Sequence, residues 1–457
     1  MKSFDEESLA LLGDALKTLD RGFADLPGGP PEHTDLAAMR AALTAAAERL
    51  HDNYPYHHPL YVGQMLKPPH PLARAAYALA LWLNPNNHAL DGGRASSAME
   101  KEAVADIARM FGWETHLGHL CGGGTVANCE ALWVARELDP GKTVVASEQA
   151  HYTHSRLAGV LGMPFRTVAV DSQGRLDPGA LEGALERDDV GLVVATLGTT
   201  AAGTVDPLPE ILELRRRFGF RLHVDAAYGG YFRLARNLAA EARSAFERIG
   251  EADSIVVDPH KHGLQPYGCG CVLFRDPAVG RVYRHDSPYT YFTSSELHLG
   301  EISLECSRPG AAAVALWTTM RALPLEAGGE FALGLESCRQ AAVELHAHLA
   351  RDARFVPILV PELDIVVWGV RAPTARRASA LAQSIFDAAA QLDLHLALAE
   401  FPRPLCEPAG VVDTWDAESL TCLRACMMKP EHGDWSREIV ARLDQAARRA
   451  LKEAEKD

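Results

Sequence analysis

Short apolar runs alternate with helical patterns through the middle third of the chain. The runs are rich in β-branched residues and are bounded by turn residues, and they occupy residues 143–147, 165–170, 192–198, 221–226, 254–258 and 269–274. Spacers such as LPEILELRRRFGF show helical periodicity between them. Strands joined by helical crossovers form parallel sheets that are covered on both faces. The alternation therefore predicts an α/β fold with a mostly parallel central sheet.

The flanking segments predict two further units. Residues 1–50 show two helical patterns separated by LPGGPPEHTD, and a Pro/His-rich connection follows. The C-terminal part combines long amphipathic helices with a few strands, such as FVPILV and DIVVWGV. We predict an N-terminal helical segment over 1–85, a large α/β domain over 86–325 and a small α+β domain over 326–457.

Composition and charge exclude several functional classes. The chain has 457 residues and a formal net charge of −15, so it cannot neutralise a row of nucleic-acid phosphates. Its start is acidic and helical in pattern, and no apolar run reaches membrane-spanning length. The nine cysteines lack the spacing of a disulfide framework. The sequence predicts a cytoplasmic protein that binds neither nucleic acid nor membranes.

Asp225 follows an apolar run directly, in the segment HVDAAYGG. Ligands of open α/β sheets bind at the carboxyl ends of the strands, where a carboxylate can keep a ring nitrogen protonated. The small residues Ala226 and Ala227 would let a flat ring lie against the strand. A single aspartate in this position is more often structural, but Lys261 at the end of the next predicted strand favours a functional interpretation.

Lys261 is the only lysine between Lys142 and Lys429, and it stands in SIVVDPHKHG after a buried-strand pattern. Burying an ammonium group is unfavourable, so desolvation promotes the neutral amine that attacks a carbonyl carbon. The position therefore suggests a carbonyl cofactor held as an imine.

Three further segments provide candidate ligand groups. CGGGTVANCEAL places three glycines and Thr125 before a helical pattern, where free N–H groups can bind an anion. The spacing matches neither the P-loop nor the dinucleotide fingerprint. His151 follows another predicted strand and could stack on an aromatic ring or move a proton, and Thr199 and Thr200 add hydroxyls at a further strand end. Each of these features alone is commonly structural.

No metal site is predicted. Several histidine pairs lack third and fourth ligands at suitable spacing, so structural or surface roles are favoured for them. These pairs are His57 with His58, His116 with His119, and His151 with His154.

Taken in order, GGTVAN, SEQAH, VATLGTT, HVDAAYGG and DPHKHG resemble the motifs of group II pyridoxal-phosphate-dependent amino acid decarboxylases. The similarity extends from about His58 to Arg424, and LECSRPGAA is most similar to the prokaryotic tyrosine/aspartate decarboxylase branch. The resemblance implies a type I (aspartate aminotransferase-like) fold and pyridoxal 5′-phosphate as cofactor. It also implies a homodimer with the active site at its interface and a dimer-swapped N-terminal segment.

The resemblance assigns roles residue by residue. Lys261 would form the internal aldimine, Asp225 would pair with the pyridine nitrogen, and His151 would stack on the ring. Ala227 would pack on the opposite ring face, and Arg424 would place a carboxylate of the substrate. The residues implied around the phosphate and the 3′-hydroxyl of the cofactor are Gly123, Gly124, Thr125, Thr199 and His260.

The chain departs from the family pattern in three places. The stretch RHDSPYTYFTSSELHLGEISLEC stands where the family has a longer loop with a proton-donating tyrosine, and Tyr289 and Tyr291 are the candidates. Many members have asparagine where this chain has Asp258, and some have Ser or Thr at Gly122.

The predicted activity is removal of the α-carboxylate of an L-amino acid to give an amine and carbon dioxide. An aldehyde-forming decarboxylase–oxidase, a carbon–carbon lyase or aldolase, or an aminotransferase could use the same core. A catalytically silent binding paralogue is the alternative from another class. The sequence does not identify the side chain of the substrate. The segments Tyr61–Gln64, Asn84–His88 and Tyr289–Ser295 could form a pocket for an acidic, an aromatic or an aliphatic side chain.

Overall fold

The computed structural model describes residues 6–29, 35–284 and 297–454. The helices are α1 Glu6–Arg21, α2 Leu36–Leu50, α3 Pro71–Leu81, α4 Leu90–Met110, α5 Gly124–Leu138, α6 Thr153–Leu161, α7 Pro178–Arg187, α8 Leu208–Phe218, α9 Ala240–Glu247, α10 Gly310–Ala322, α11 Glu330–Leu349, α12 Ala375–Ala390, α13 Arg403–Cys406 and α14 His432–Ala454. The strands are β1 Leu117–Cys121, β2 Thr143–Ser147, β3 Phe165–Val168, β4 Val190–Thr196, β5 Arg221–Asp225, β6 Ser254–Val257, β7 Gly270–Phe274, β8 Phe355–Pro357, β9 Ile365–Val370, β10 Ala372–Thr374, β11 Ala397–Pro402, β12 Val412–Thr414 and β13 Ser419–Cys426.

A seven-stranded sheet in the order β1-β7-β6-β5-β4-β2-β3 forms the centre of the larger unit. The neighbours from β3 through β6 pair in parallel, whereas β7 runs antiparallel to both β6 and β1. Every residue of β4, β6 and β7 is buried, as expected for strands covered on both faces. The predicted α/β fold with a mostly parallel sheet is confirmed.

The sequence pattern did not reveal β1, because Gly118 and His119 interrupt its apolar run. His119 is fully buried, and its Nε2 lies 2.8 Å from a carboxylate oxygen of Glu130. A Cβ at Gly118 would lie 2.5 Å from Leu273 Cδ2 and 2.8 Å from the Val272 carbonyl oxygen. Tertiary contacts therefore select these two residues, and strand periodicity does not.

A second, four-stranded antiparallel sheet has the order β11-β13-β9-β8. Helices α11 and α12 pack on it, and α14 packs against both of these helices. This arrangement agrees with the predicted α+β character of the C-terminal unit. The predicted domain bounds remain predictions.

The N-terminal helices differ in how far they join the larger unit. Helix α10 packs against both α3 and α4, and α1 packs against α3. Neither α1 nor α2 contains a buried residue. Among the helices that the structure describes, none is both long enough and apolar enough to cross a membrane.

Candidate active site

One cavity of about 310 Å³ lies where β1, β2, β4, β5 and β6 end. Parallel strands direct their carboxyl ends to the same edge of a sheet, so residues distant in sequence converge there. The predicted site residues that line the cavity are Gly123, Gly124, Thr125, His151, Asp225, Ala227, His260 and Lys261.

Asp225 is the last residue of β5, and only 5 % of its surface is exposed. Its Oδ2 accepts hydrogen bonds from His154 Nε2 at 2.8 Å and from Asn128 Nδ2 at 3.3 Å. Its Oδ1 accepts from the backbone N–H of Ala227 at 3.1 Å. Burial alone would raise the pKa of Asp225, but the hydrogen bond and charge of His154 hold it below its ordinary value. The carboxylate is therefore ionised and its direction is fixed.

Asn128 is oriented by a second set of buried groups. Its Oδ1 lies 2.7 Å from His223 Nε2, and His223 Nδ1 lies 2.8 Å from Ser254 Oγ. Burial lowers the pKa of His223 to about 3, so its imidazole is neutral. The neutral ring donates from Nε2 to Asn128 and accepts from Ser254, which leaves the Asn128 amide to donate to Asp225.

Sequence reasoning missed His154 and Asn128 as site residues, and it gave His154 a structural or surface role. His154 is fully buried and contacts Asp225, which lies 71 positions later. The one usable sign was its spacing of three residues from His151. Asn128 lies one helical turn after Gly124 at the start of α5, next to the predicted anion site.

Lys261 lies in the cavity beside a carboxylate. Its Nζ is 3.0 Å from Asp258 Oδ2, and 23 % of the lysine side chain is exposed, against 2 % for Asp258. His260 Nε2 lies 3.5 Å from the same oxygen. The expectation of a buried amine is therefore corrected, because the amine is partly exposed and lies beside Asp258.

The glycine run forms an open cradle at the start of α5. Gly123 has a φ of 147°, which favours glycine, and no side chain caps the helix N-terminus. A Cβ at Gly124 would lie 2.8 Å from Asp258 Oδ2, and one at Gly123 would lie 3.1 Å from His260 Cε1. The backbone N–H groups of the first helical turn are thus available to an anion.

The rim of this cradle includes a carboxylate that the sequence did not suggest. The backbone N–H of Gly122 donates to Glu305 Oε2 at 2.9 Å. The two residues are 183 positions apart, so only the tertiary structure brings them together.

His151 is half-buried on the cavity wall. Its Nδ1 accepts a hydrogen bond from the backbone N–H of Thr153 at 3.2 Å. Burial lowers the pKa of His151, so the neutral imidazole is favoured at neutral pH. Because Nδ1 accepts this hydrogen bond, the proton of the neutral ring lies on Nε2.

Two predicted residues do not line the cavity. Thr199 is buried, and its hydroxyl bonds to Thr204 Oγ1 at 2.7 Å, whereas Thr200 lies on the cavity wall. Arg424 on β13 donates to the backbone oxygens of Thr200 at 2.7 Å and Ala201 at 2.9 Å. Its guanidinium therefore supports the loop behind the cavity wall.

Tyr289 and Tyr291, the predicted proton donors, lie outside the described residues.

The fold and the cavity together define an α/β enzyme with an anion cradle, an ionised carboxylate and an amine around one small space. A family model described as the pyridoxal-dependent decarboxylase conserved domain matches residues 133–371, which is more than half of the chain. The chain therefore belongs to the pyridoxal-dependent decarboxylase family, and it is an amino acid decarboxylase, a carboxy-lyase, that uses pyridoxal phosphate.

Named relatives share much of the chain. The L-tyrosine decarboxylase of Enterococcus faecium is 27 % identical over 82 % of this chain and 82 % of its own length. A probable L-tyrosine/L-aspartate decarboxylase of Methanothermobacter thermautotrophicus is 29 % identical over 67 % of this chain and 82 % of its own. The L-aspartate decarboxylase of Thermococcus kodakarensis is 27 % identical over 73 % and 85 %, respectively. The resemblance seen in the motifs is confirmed.

Solved structures share the fold. Mouse CSAD has a TM-score of 0.77 at 21 % identity and covers 95 % of this chain and 91 % of its own. Oryza sativa TDC with PLP and tryptamine has a TM-score of 0.76 at 18 % identity and covers 98 % and 97 %, respectively. The predicted type I fold is confirmed.

The cavity residues fit pyridoxal phosphate. The uncapped start of α5 suits a phosphate, and the ionised Asp225 suits a protonated pyridine nitrogen. Ala227 and the neutral His151 offer flat contact surfaces, and Lys261 supplies an amine for the carbonyl carbon.

Proposed function

We propose that this chain converts an L-amino acid into its amine and carbon dioxide, with Lys261, Asp225 and His151 as the central residues. The main support is the Asp225 carboxylate, which is ionised by its hydrogen bonds and shares one cavity with the Lys261 amine. When bound, pyridoxal phosphate supplies the electron sink for the pair released as carbon dioxide leaves.

In this proposal, the negative charge of Asp225 acts on the pyridine nitrogen of the cofactor. A negative carboxylate next to a pyridine nitrogen favours the protonated ring, which is the better electron sink. His154 and Asn128 act as positioning residues, because their hydrogen bonds determine where the Asp225 oxygens point.

Lys261 would provide the amine that holds the cofactor. An ammonium must lose a proton before it can attack a carbonyl carbon. Asp258 Oδ2 lies 3.0 Å from Nζ, within reach for a direct proton transfer, so we assign proton acceptance from Lys261 to Asp258.

His151 lines the cavity, where it would contact the cofactor ring, and it is one candidate for returning a proton to the substrate Cα. Burial lowers the pKa of His151, so an imidazolium formed there by taking a proton from solvent would readily donate that proton to Cα after carbon dioxide has left. Tyr289 and Tyr291 are the other candidates. Replacing His151 with Gln should preserve cofactor binding and slow product formation if His151 is the donor.

We propose that the substrate is L-tyrosine or L-aspartate, the amino acids that appear in the names of the relatives. The test is a decarboxylation screen of all twenty amino acids with cofactor-loaded protein, with products identified by mass spectrometry. Tyramine or β-alanine would support the proposal. An aldehyde or a keto acid as sole product would replace it with an oxidative or transaminating reaction.

Lys261→Ala tests the cofactor attachment. We expect loss of the visible absorbance of the bound cofactor together with loss of amine formation, whereas the exposed Lys142→Ala control should retain both. Survival of both signals in Lys261→Ala would contradict the assignment.

We propose that the protein is a homodimer in which the N-terminal helices cover a second copy. Leu36, Met39, Leu43 and Leu50 form one stripe on α2, and each is at least 50 % exposed. Leu36→Glu combined with Leu43→Glu should produce monomers in sedimentation experiments and reduce activity if the active site lies at the interface. Ala45→Glu, on the opposite face of α2, is the matched control.

We also propose a cytoplasmic location. All nine cysteines are free thiols, which persist in a reducing compartment. Finding the protein in an oxidising compartment with disulfides formed would contradict this.

A further inference from the structure

A second cavity of about 500 Å³ lies beside His262, next to the proposed catalytic lysine in sequence. Its walls come from His57 and residues 67–71, from His262 and Leu264, from the start of α11 and from residues 429–431. It shares no lining residue with the cofactor cavity. Its volume lies within the range of small-molecule sites.

Two lysine amines line this cavity without an acidic partner. Lys429 is only 4 % exposed, and its Nζ donates to the Tyr61 carbonyl oxygen at 2.7 Å. Lys67 Nζ donates to the Met428 carbonyl oxygen at 3.4 Å. Within the ranges that the structure describes, neither amine has a carboxylate oxygen within 4.0 Å. Lys429 is buried and Lys67 is half-buried, and the Asp364 carboxylate acts on Lys67 only from beyond 4.0 Å, so an additional anion between the two amines would be favourable.

The electrostatic environment of the amines supports this description. Burial lowers the pKa of Lys67, and burial with the nearby Lys67 charge lowers that of Lys429 to about 8. At neutral pH Lys429 therefore still carries its proton mainly as an ammonium. An anion between the two amines would relieve their mutual repulsion.

Part of the remaining wall is apolar, and its two acidic residues are exposed. Leu264, Phe331 and Leu335 contribute apolar surface. Glu330 and Glu431 also line the cavity, but both are exposed, so solvent screens their charges. A matching ligand has a negative group for the amines and an apolar body for the wall.

We propose that this second cavity binds a small carboxylate with an apolar body, whose oxygens accept hydrogen bonds from Lys67 and Lys429. The site is separate from the decarboxylation site and does not depend on its assignment. The lysines supply charge and direction, and the apolar wall selects against small hydrophilic anions such as inorganic phosphate.

Phenylacetate and its neutral analogue phenylacetamide test the proposal by isothermal titration calorimetry on the cofactor-loaded protein. We expect one phenylacetate site per chain and at least about tenfold weaker binding of phenylacetamide. Lys67→Met and Lys429→Met should each weaken phenylacetate binding about tenfold and leave phenylacetamide binding unchanged. Glu431→Gln should strengthen phenylacetate binding about two- to threefold, because the Glu431 carboxylate repels the carboxylate of the ligand.

Lys142→Met is the matched control, because this lysine is exposed and paired with acidic residues elsewhere. Thermal midpoints and the absorbance of the bound cofactor report whether each variant is folded. If Lys429→Met does not fold, Lys67→Met and Glu431→Gln still decide the question. No measurable phenylacetate binding at millimolar concentration, equal affinity for the two probes, or wild-type affinity in folded Lys67→Met would overturn the proposal.

Discussion

Replacing His154 with leucine should remove the hydrogen bond that keeps Asp225 ionised and oriented. Leucine is similar in size to histidine, so packing is largely preserved, but the 2.8 Å hydrogen bond to Asp225 Oδ2 is lost. The carboxylate would keep only Asn128 at 3.3 Å and the Ala227 N–H at 3.1 Å. Burial, the largest influence on this carboxyl, would then raise its pKa.

The size of the effect follows from the lost bond. A hydrogen bond to a buried charged group contributes about 1.5–3 kcal/mol, equivalent to a factor of about 10–100. The wild-type pKa of Asp225 lies below its ordinary value, so the carboxylate stays ionised throughout the working range. In the variant, acidification would protonate Asp225 first, so kcat/KM should fall most at pH 5.5 and least at pH 8.

Initial rates of amine formation from pH 5.5 to 8.5, with cofactor affinity from absorbance titration, measure this change. His154→Gln is the matched variant, because its amide can still donate to Asp225 and should restore much of the acid-side activity. Wild-type rates and an unshifted acid limb in folded His154→Leu would refute the proposed dependence of Asp225 on His154.

Three further outcomes are expected. Gly124→Ala should weaken cofactor binding about tenfold in absorbance titrations, because its Cβ would lie 2.8 Å from Asp258 Oδ2, whereas Gly122→Ala, with its nearest atom at 3.4 Å, should bind normally. Burial raises the pKa of Asp206 to about 7. The protonated carboxyl therefore stabilises the folded state at low pH, and this stabilisation is lost as pH rises through 7. The melting temperature of Asp206→Asn should vary less than that of the wild type between pH 5 and 8. Arg424→Met should lower kcat/KM about tenfold by releasing the backbone oxygens of Thr200, which lines the cavity, and of Ala201. An unchanged value would show that the loop keeps its position without Arg424.

The fold class and the two central residues could be predicted from the sequence. The run SIVV ends four residues before Lys261 and is rich in β-branched residues, and the run RLHV leads directly into Asp225, so both strands are readable from local pattern. Parallel strands share one carboxyl edge, which places Asp225 near Lys261 without any distance information. The glycine run was readable for the same reason, because free N–H groups at a helix start are a local property.

The direction in which a side chain points could not be predicted from the sequence. Thr199 and Thr200 are adjacent and chemically equivalent, yet only Thr200 lines the cavity, because Thr199 bonds to Thr204 across the turn. Arg424 similarly turned towards loop carbonyls, and no local pattern specifies which acceptors a buried arginine will reach.

The sequence alone determined the α/β architecture and the placement of Asp225 and Lys261 at one edge of the sheet, because these depend on local periodicity and on strand direction, whereas the cofactor followed from the motifs that resemble a known family. The tertiary structure decided which groups act on that pair. His154 and Asn128 reach Asp225 from 71 and 97 positions away, and Asp258 reaches the Lys261 amine. Hydrogen bonds and ion pairs depend on distances of a few ångströms between side chains, and only the packing of helices onto the sheet sets those distances.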